Sequence, residues 1–159
     1  MTDNREWNNY ELDELIDNIL ERFHNTHRED LQFLIPLADK VESVHADTDN
    51  APKGLASFLR SMLSELENHM QKEEQILFPM IKNGQGAMAQ GPIHVMQHEH
   101  VDHQENLDKL KETAHGYVLP EGACGSWTTL YQRVEKLEND LRQHIQIENE
   151  ILFPKALNG

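Results

Sequence analysis

One segment of this chain occurs twice, and the repetition limits the folds that the chain can adopt. HMQKEEQILFP begins at His69, and HIQIENEILFP begins at His144, 75 residues later. A second pair of segments, HNTHREDL from His24 and HVDHQENL from His100, repeats with an offset of 76 residues. Because the two offsets nearly agree, the chain is predicted to be a duplicated structural unit.

Apolar residues recur at intervals of three and four along four long stretches, which is the period of an amphipathic helix. The predicted helices span about residues 10 to 45, 52 to 82, 92 to 115 and 127 to 157. Turn-forming residues fill the stretches between them, and no segment has the period of a strand. We therefore predict an all-α fold, an antiparallel four-helix bundle of two hairpins related by a pseudo-twofold axis. Residues 1–10 are expected to form a polar tail, and residues 11–159 the single domain.

Composition excludes several classes of function. The 159 residues include 28 acidic and 14 basic ones, with a net charge of -14 and no basic stripe for a nucleic-acid backbone. The apolar runs are far shorter than the roughly 20 residues that cross a bilayer, and the polar N-terminus MTDNREWNNY is no secretory signal. A cytoplasmic protein without nucleic-acid or membrane partners is therefore expected. The single cysteine, Cys124, excludes an internal disulfide and a thiolate cluster.

The four histidine-bearing segments are predicted to meet at one level of the bundle. A helix rises about 1.5 Å per residue, so His69 lies roughly 25 Å from the start of its helix. The same depth in the other three helices falls close to the histidines that begin the other repeated segments. In both H-x-x-x-E pairs, the histidine and the glutamate lie within an apolar stripe, so their side chains are expected to face the core.

Buried imidazole and carboxylate groups need compensation, which bound metal ions supply. Four imidazoles and two carboxylates suit two iron ions, with both carboxylates and an oxide or hydroxide as bridges. A single H-x-x-x-E pair is most often an ordinary contact within a helix, but two copies in register favour a metal site. No catalytic residue is assigned. The predicted metal ligands are His24, His69, Glu73, His100, His144 and Glu148.

Further polar residues near this level have alternative interpretations. His27 and His103 each follow the first histidine of a repeated segment by three residues. They are predicted to support ligands or to pack in the core, with ligation as the alternative if the register differs by one helical turn. His45 lies 21 residues, or roughly 31 Å, from His24, so these two cannot bind one centre. The carboxylates of Glu65 and Glu99 are predicted to be solvated at the rim, with handling of moving iron as the alternative.

Longer stretches resemble the Repair of Iron Centres family, whose haemerythrin-like di-iron domain is associated with mending iron-sulfur clusters after nitrosative and oxidative stress. The similarity covers about residues 12 to 158 and rests on YELDELIDNILERFHNTHRE, KVESVHAD, PKGL, HMQKEEQILFPMIKNG, GPI and ENEILFPKAL. It implies that the same six residues bind iron, that Glu73 and Glu148 are the bridges, and that Glu65 and Glu99 take part in iron mobility. Members commonly carry an N-terminal domain with a vicinal cysteine pair, which this sequence lacks before its first helix.

The resemblance implies a stress-response protein that repairs iron-sulfur clusters by supplying iron, with reaction or reduction of nitric oxide at the centre as an additional activity. Damaged iron-sulfur proteins or a scaffold would receive the iron, and a monomer and a homodimer are both compatible with the sequence. The alternative is a haemerythrin-like protein that binds or senses oxygen or nitric oxide. Oxygen carriers of that type add an H-x-x-x-H pair on the third helix, but Met96 and Gln104 occupy the positions four residues from His100. A ferritin-like oxidase would need more carboxylates at this level.

Overall fold

The computed structural model describes residues 5–159, which contain four long helices and no β-strand. The first long helix runs through residues 12–44 and the second through residues 55–82; the third is Gln90–Thr113, and the fourth runs through residues 125–158. A short helix, Arg5–Asn8, precedes them, and single 3-10 turns lie at Gly86–Met88 and His115–Tyr117. Within the described residues, no helix is both long and apolar enough to cross a membrane.

The four long helices form the expected bundle. The first helix packs against the second and the fourth, and the third packs against the same two neighbours. Successive helices are joined end to end by short connections, so neighbours along the chain are antiparallel. The predicted all-α four-helix bundle is confirmed, and the helix ends differ from the predicted ends by three residues or fewer.

Three of the four long helices contain one wider, π-helical turn, at Leu20–His24, Glu73–Leu77 and Glu148–Leu152. The N–H of Phe78 donates to the carbonyl of Glu73, five residues back, and Phe153 donates to Glu148 in the same way. Proline follows at once in both ILFP segments and has no N–H to continue the α-helical pattern. Both helices continue past the proline, to Lys82 and Asn158.

Two hydrophobic clusters fill the bundle, and a polar layer lies between them. The cluster farther from the two chain ends, here called the distal cluster, includes Leu59, Trp127 and Leu141. The cluster nearer to the chain ends, the proximal cluster, includes Phe23 and Phe153. On each long helix, the residues change from one cluster to the other across the stretch that holds the predicted metal ligands. The interior is therefore apolar at both ends and polar in the middle.

The segment predicted as a polar tail makes contact with this interior. Trp7 is only 8% exposed and belongs to the proximal cluster. Its ring stacks on Phe23 with 5.5 Å between centroids, and the Lys155 ammonium donates to the Tyr10 carbonyl. Residues 5–10 therefore pack on the bundle because one aromatic ring is buried. Residues 1–4 of the predicted tail lie outside the described residues, and the domain boundary stays a prediction.

Candidate metal centre

The six residues predicted as metal ligands lie together in the polar layer, although their role as ligands stays a prediction. They come from all four long helices, and none is more than 2% exposed. Each π-helical turn holds one of them, at His24, Glu73 or Glu148. Such turns are frequent at functional sites, because the wider turn changes the direction in which a side chain leaves the helix.

The donor atoms form two groups, each compact enough for one metal ion. We call position one the group His24, Glu73, His144 and Glu148. Position two is the group His69, Glu73, His100 and Glu148. Within each group, the ligand atoms lie within 4.8 Å of one another. Both glutamates belong to both groups, so two ions held here would share two carboxylates.

Each glutamate lies between the two groups. Glu73 Oε1 lies 3.2 Å from His24 Nε2 and 3.6 Å from His69 Nε2. Glu148 Oε1 lies 2.9 Å from His100 Nε2, and its Oε2 lies 2.9 Å from His144 Nε2. Each carboxylate therefore faces one imidazole from each position.

Most of these converging atoms make no contact with hydrogen-bond geometry among the described residues, although His100 Nε2 and Glu148 Oε1 lie only 2.9 Å apart. The unpartnered atoms are Nε2 of His24, His69 and His100, both carboxylate oxygens of Glu73, and Oε1 of Glu148. An unpartnered buried polar atom costs about 1–3 kcal/mol, and such atoms are rare in native proteins. Metal ions would satisfy all of them at once, and nitrogen with carboxylate donors suits iron. The residues present therefore fit a pair of metal ions.

Two of the predicted ligand histidines donate a hydrogen bond from Nδ1 to a carboxylate. His24 Nδ1 donates to Glu74 Oε2 at 2.6 Å, and His69 Nδ1 donates to Glu99 Oε1 at 2.9 Å. Such contacts fix the tautomer of a ligand histidine and make its other nitrogen a stronger donor. In both residues Nε2 is thereby left to face the site.

The other two predicted ligand histidines have neutral partners. His100 Nδ1 donates to Asn149 Oδ1 at 2.8 Å, and His144 Nδ1 lies 3.1 Å from His27 Nε2. Phe23 also stacks on His144 with 5.1 Å between ring centroids and nearly parallel planes. These partners orient both imidazoles without adding negative charge.

Cations hold the two supporting carboxylates in turn. Arg28 donates to Glu74 Oε2 at 2.9 Å and also pairs with Glu67. Lys72 donates to Glu99 Oε2 at 2.7 Å. The sequence pattern did not single out Glu74 or Asn149 as partners of the ligands. Each directly follows the glutamate of an H-x-x-x-E pair, so aligning the two halves of the chain places them at equivalent positions.

The pKa values of these side chains follow from their contacts. Burial alone would lower the pKa of His24 and of His69, but the carboxylates in contact with each ring raise it to about 9. Burial lowers the pKa of His144, because the nearby carboxylate does not compensate for desolvation. Burial would raise the pKa of Glu148, but His144 and His100 together hold it well below its usual range. The Glu148 carboxylate is therefore ionised at neutral pH.

An acidic cleft of about 350 Å³ lies beside position two. Its lining includes Glu65, Glu99 and His103, whose ring lies 4.8 Å from that of His69. Glu65 accepts a hydrogen bond from Asn106 at 2.8 Å at this cleft. Burial and the neighbouring histidines lower the pKa of His103 to about 3, so its ring is neutral. The two carboxylates predicted at the rim thus line one cleft, and Glu99 also contacts His69 of position two.

His45 occupies a different part of the molecule. Its Nε2 lies 3.2 Å from Cys124 Sγ, and its ring lies 4.7 Å from that of Trp127 in the distal cluster. It belongs to neither metal position, as the length of the helix between His24 and His45 predicted.

Comparison with known proteins assigns the family. Residues 15–156 match the Hemerythrin HHE cation binding domain, a range that contains every residue of both metal positions. An iron-sulfur cluster repair protein YtfE from Pectobacterium carotovorum is 49% identical over 158 residues, which cover 99% of this chain and 72% of the relative. Its counterpart in Citrobacter koseri is 48% identical over 155 residues, covering 98% and 70%. The chain therefore belongs to the haemerythrin HHE family, among relatives that are named as iron-sulfur cluster repair proteins.

Proposed function

We propose that this protein binds two iron ions in an oxo- or hydroxo-bridged centre and supplies iron for the repair of damaged iron-sulfur clusters. The observation that carries the proposal is the buried pair of positions that share Glu73 and Glu148. The family membership and the names of the relatives support it. The recipients would be damaged cytoplasmic iron-sulfur proteins or a scaffold for cluster assembly.

The proposed centre would be held by the chain's own residues in defined roles. The Nε2 atoms of His24, His69, His100 and His144 would bind iron, and the two glutamates would bridge it. Bound iron would supply electron transfer and open coordination positions, at which nitric oxide is a second candidate reactant. The apolar clusters on both sides of the polar layer exclude water from the buried carboxylates.

The cleft beside position two provides the proposed route for iron. Glu99 contacts His69 Nδ1 with one oxygen and Lys72 with the other, so it belongs to the site and to the cleft. Glu65 lines the same cleft from the second long helix, and Glu99 lines it from the third. Carboxylates along a cleft attract a metal ion that has dissociated from a neutral imidazole. This attraction supports the role of Glu65 and Glu99 in iron mobility that the sequence resemblance implied.

An iron-transfer assay tests the proposal. Protein carrying two irons per chain is incubated with the inactive apo form of an iron-sulfur enzyme, sulfide and a reductant, in the presence of a chelator that captures free iron. We expect enzyme activity to return as iron leaves the protein. A Glu73→Leu variant and an equal amount of ferrous salt are the controls. Recovery no better than that given by the ferrous salt would contradict the proposal.

One observation favours the alternative, a protein that binds oxygen or nitric oxide. An apolar groove of about 250 Å³ lies beside the third helix, and its lining includes Ile76, Val95 and Met96. Met96 lies one helical turn from His100, so a small uncharged molecule in this groove would lie near position two. Mixing the reduced protein with oxygen distinguishes the two proposed functions. A stable and reversible peroxide-type absorption band would favour oxygen binding over iron supply.

A further inference from the structure

His27 stands out among the residues that touch the predicted ligands. It is 0% exposed, and its Nε2 lies 3.1 Å from His144 Nδ1. Its own Nδ1 is buried and has no hydrogen-bond partner among the described residues. The other three predicted ligand histidines have an oxygen atom at this place, whereas His144 has a second imidazole.

The contact between two imidazole nitrogens constrains where the protons are. His144 Nε2 lies 2.9 Å from Glu148 Oε2, to which it donates only while it carries a proton, and it must carry none if it is to bind a metal ion. A neutral imidazole has one N–H, so the proton of His144 is then on Nδ1, which donates to His27. The proton of His27 is consequently on its Nδ1. In the reverse arrangement, His27 would donate and the proton of His144 would block its Nε2.

We propose that His27 is a positioning residue that selects the metal-binding tautomer of His144 and orients its ring. The inference rests on the ligand set of the proposed function. Its effect falls on position one, because His144 belongs to that group.

The duplicated half of the chain provides an internal comparison. His103 occupies the place in the second half that His27 occupies in the first. It meets His69 through a ring contact of 4.8 Å, while Glu99 takes the contact to His69 Nδ1. The same place in the repeat therefore carries an imidazole in both halves, but only His27 contacts a ligand nitrogen. His103→Leu is thus a matched control for a change of similar size near the other position.

Two variants of nearly equal length separate orientation from packing. In His27→Gln the amide oxygen can accept the proton of His144 Nδ1, whereas His27→Met fills the space without an acceptor. Each protein is loaded with two Co(II) ions, and the exchangeable imidazole N–H signals, one for each ligand histidine, are followed by paramagnetic proton NMR. We expect His27→Met to move one signal, to speed its exchange with water, and to weaken Co(II) binding at position one about tenfold. His27→Gln and His103→Leu should keep that signal.

Several results would overturn the inference. If His27→Met leaves every imidazole signal unchanged, or if His27→Gln behaves as His27→Met does, His27 only packs. If His27→Met does not fold, His27→Leu offers a second side chain without an acceptor and is judged by the same signals. Failure of the wild-type protein to bind two Co(II) ions would instead contradict the ligand set of the proposed function, so the two failures are distinguishable.

Discussion

The two hairpins of the bundle, residues 12–82 and 90–158, place the same donors at the centre but support them differently. In the first hairpin, His24 and His69 each have a carboxylate behind Nδ1, and the pKa of both is raised to about 9. In the second hairpin, His100 and His144 have an amide and an imidazole there. The duplication has thus kept the ligands while their partners diverged.

The two metal positions share this difference in histidine partners equally. Each position takes one histidine from each hairpin, so each combines a ligand backed by a carboxylate with a ligand backed by a neutral group. The positions differ in what lies beside them. At position one Phe23 stacks on His144 and Trp7 stacks on Phe23, and at position two Phe153 stacks on His100. Only position two borders the acidic cleft described above. We therefore expect iron to leave position two first.

The largest effect is expected from the shared carboxylates. Glu73→Leu and Glu148→Leu change one residue in each hairpin, and each should abolish binding of both irons, because each glutamate belongs to both positions. His24→Leu removes a ligand of position one alone and should retain one iron. Elemental analysis after desalting measures iron per chain. Retention of both irons by either glutamate variant would show that the two hairpins do not share their carboxylates.

A smaller effect is expected from the supporting carboxylate of the first hairpin. Glu74→Gln should weaken iron binding at position one about tenfold, because a neutral partner makes the His24 imidazole a weaker donor. The pKa of His24 in the metal-free protein should fall from about 9, since one of the hydrogen bonds that raise it loses its charge. A competing chelator measures the affinity, and NMR titration measures the pKa.

Glu67→Gln is the control for this change. Glu67 pairs with Arg28 on the same surface and lies within reach of Gln71. Equal effects of the two substitutions would mean that the surface charge, and not the contact with His24, decides the affinity.

The pH dependence of stability tests the raised pKa values. In the metal-free protein, His24 and His69 have a pKa of about 9, above the ordinary 6.5. A group whose pKa is raised by folding contributes stability below its unfolded value and loses it as the pH rises through the folded value. Urea midpoints of the metal-free protein should therefore fall between about pH 6.5 and 9. The stability that iron adds should grow over the same range. Constant midpoints would contradict the carboxylate support in the first hairpin.

The smallest effect is expected at the edge of the cleft. Lys72 is 40% exposed and pairs with Glu99 at 2.7 Å, and exposed ion pairs contribute about 0.2–1 kcal/mol. Lys72→Met should therefore change the rate of iron release from position two by no more than about fivefold. Stopped-flow mixing with a chelator measures this rate. A much larger acceleration would mean that Lys72 holds Glu99 against His69 and limits release.

The sequence predicted the bundle and the grouping of six residues because both depend on periodicity and on counting along straight helices. The positions of His69 and Glu73 on one face follow from their spacing of four residues. The partner Glu74 could not be predicted in this way, because it lies on a different helix from His24. Both residues also lie in π-helical turns. Such a turn rotates the following residues away from the regular pattern.

Two further features escaped the sequence analysis for other reasons. His27 was left open between support and packing, because a choice requires the distance from its ring to His144. Trp7 was assigned to a polar tail because one aromatic residue among polar neighbours has no periodicity. Trp7 is buried because its ring packs on Phe23, and this packing surface forms only when the helices of the bundle come together.

Under the proposed function, the polar layer between the two hydrophobic clusters would hold the delivered iron inside the bundle. Once iron has been delivered, the midsection would contain imidazoles and carboxylates without cations, while both apolar ends stay packed. We expect amide hydrogen exchange around the polar layer to speed up in the emptied protein, and proteases to cleave there first. Delivery would thus leave a recognisably softer molecule, which a cell could either refill or degrade.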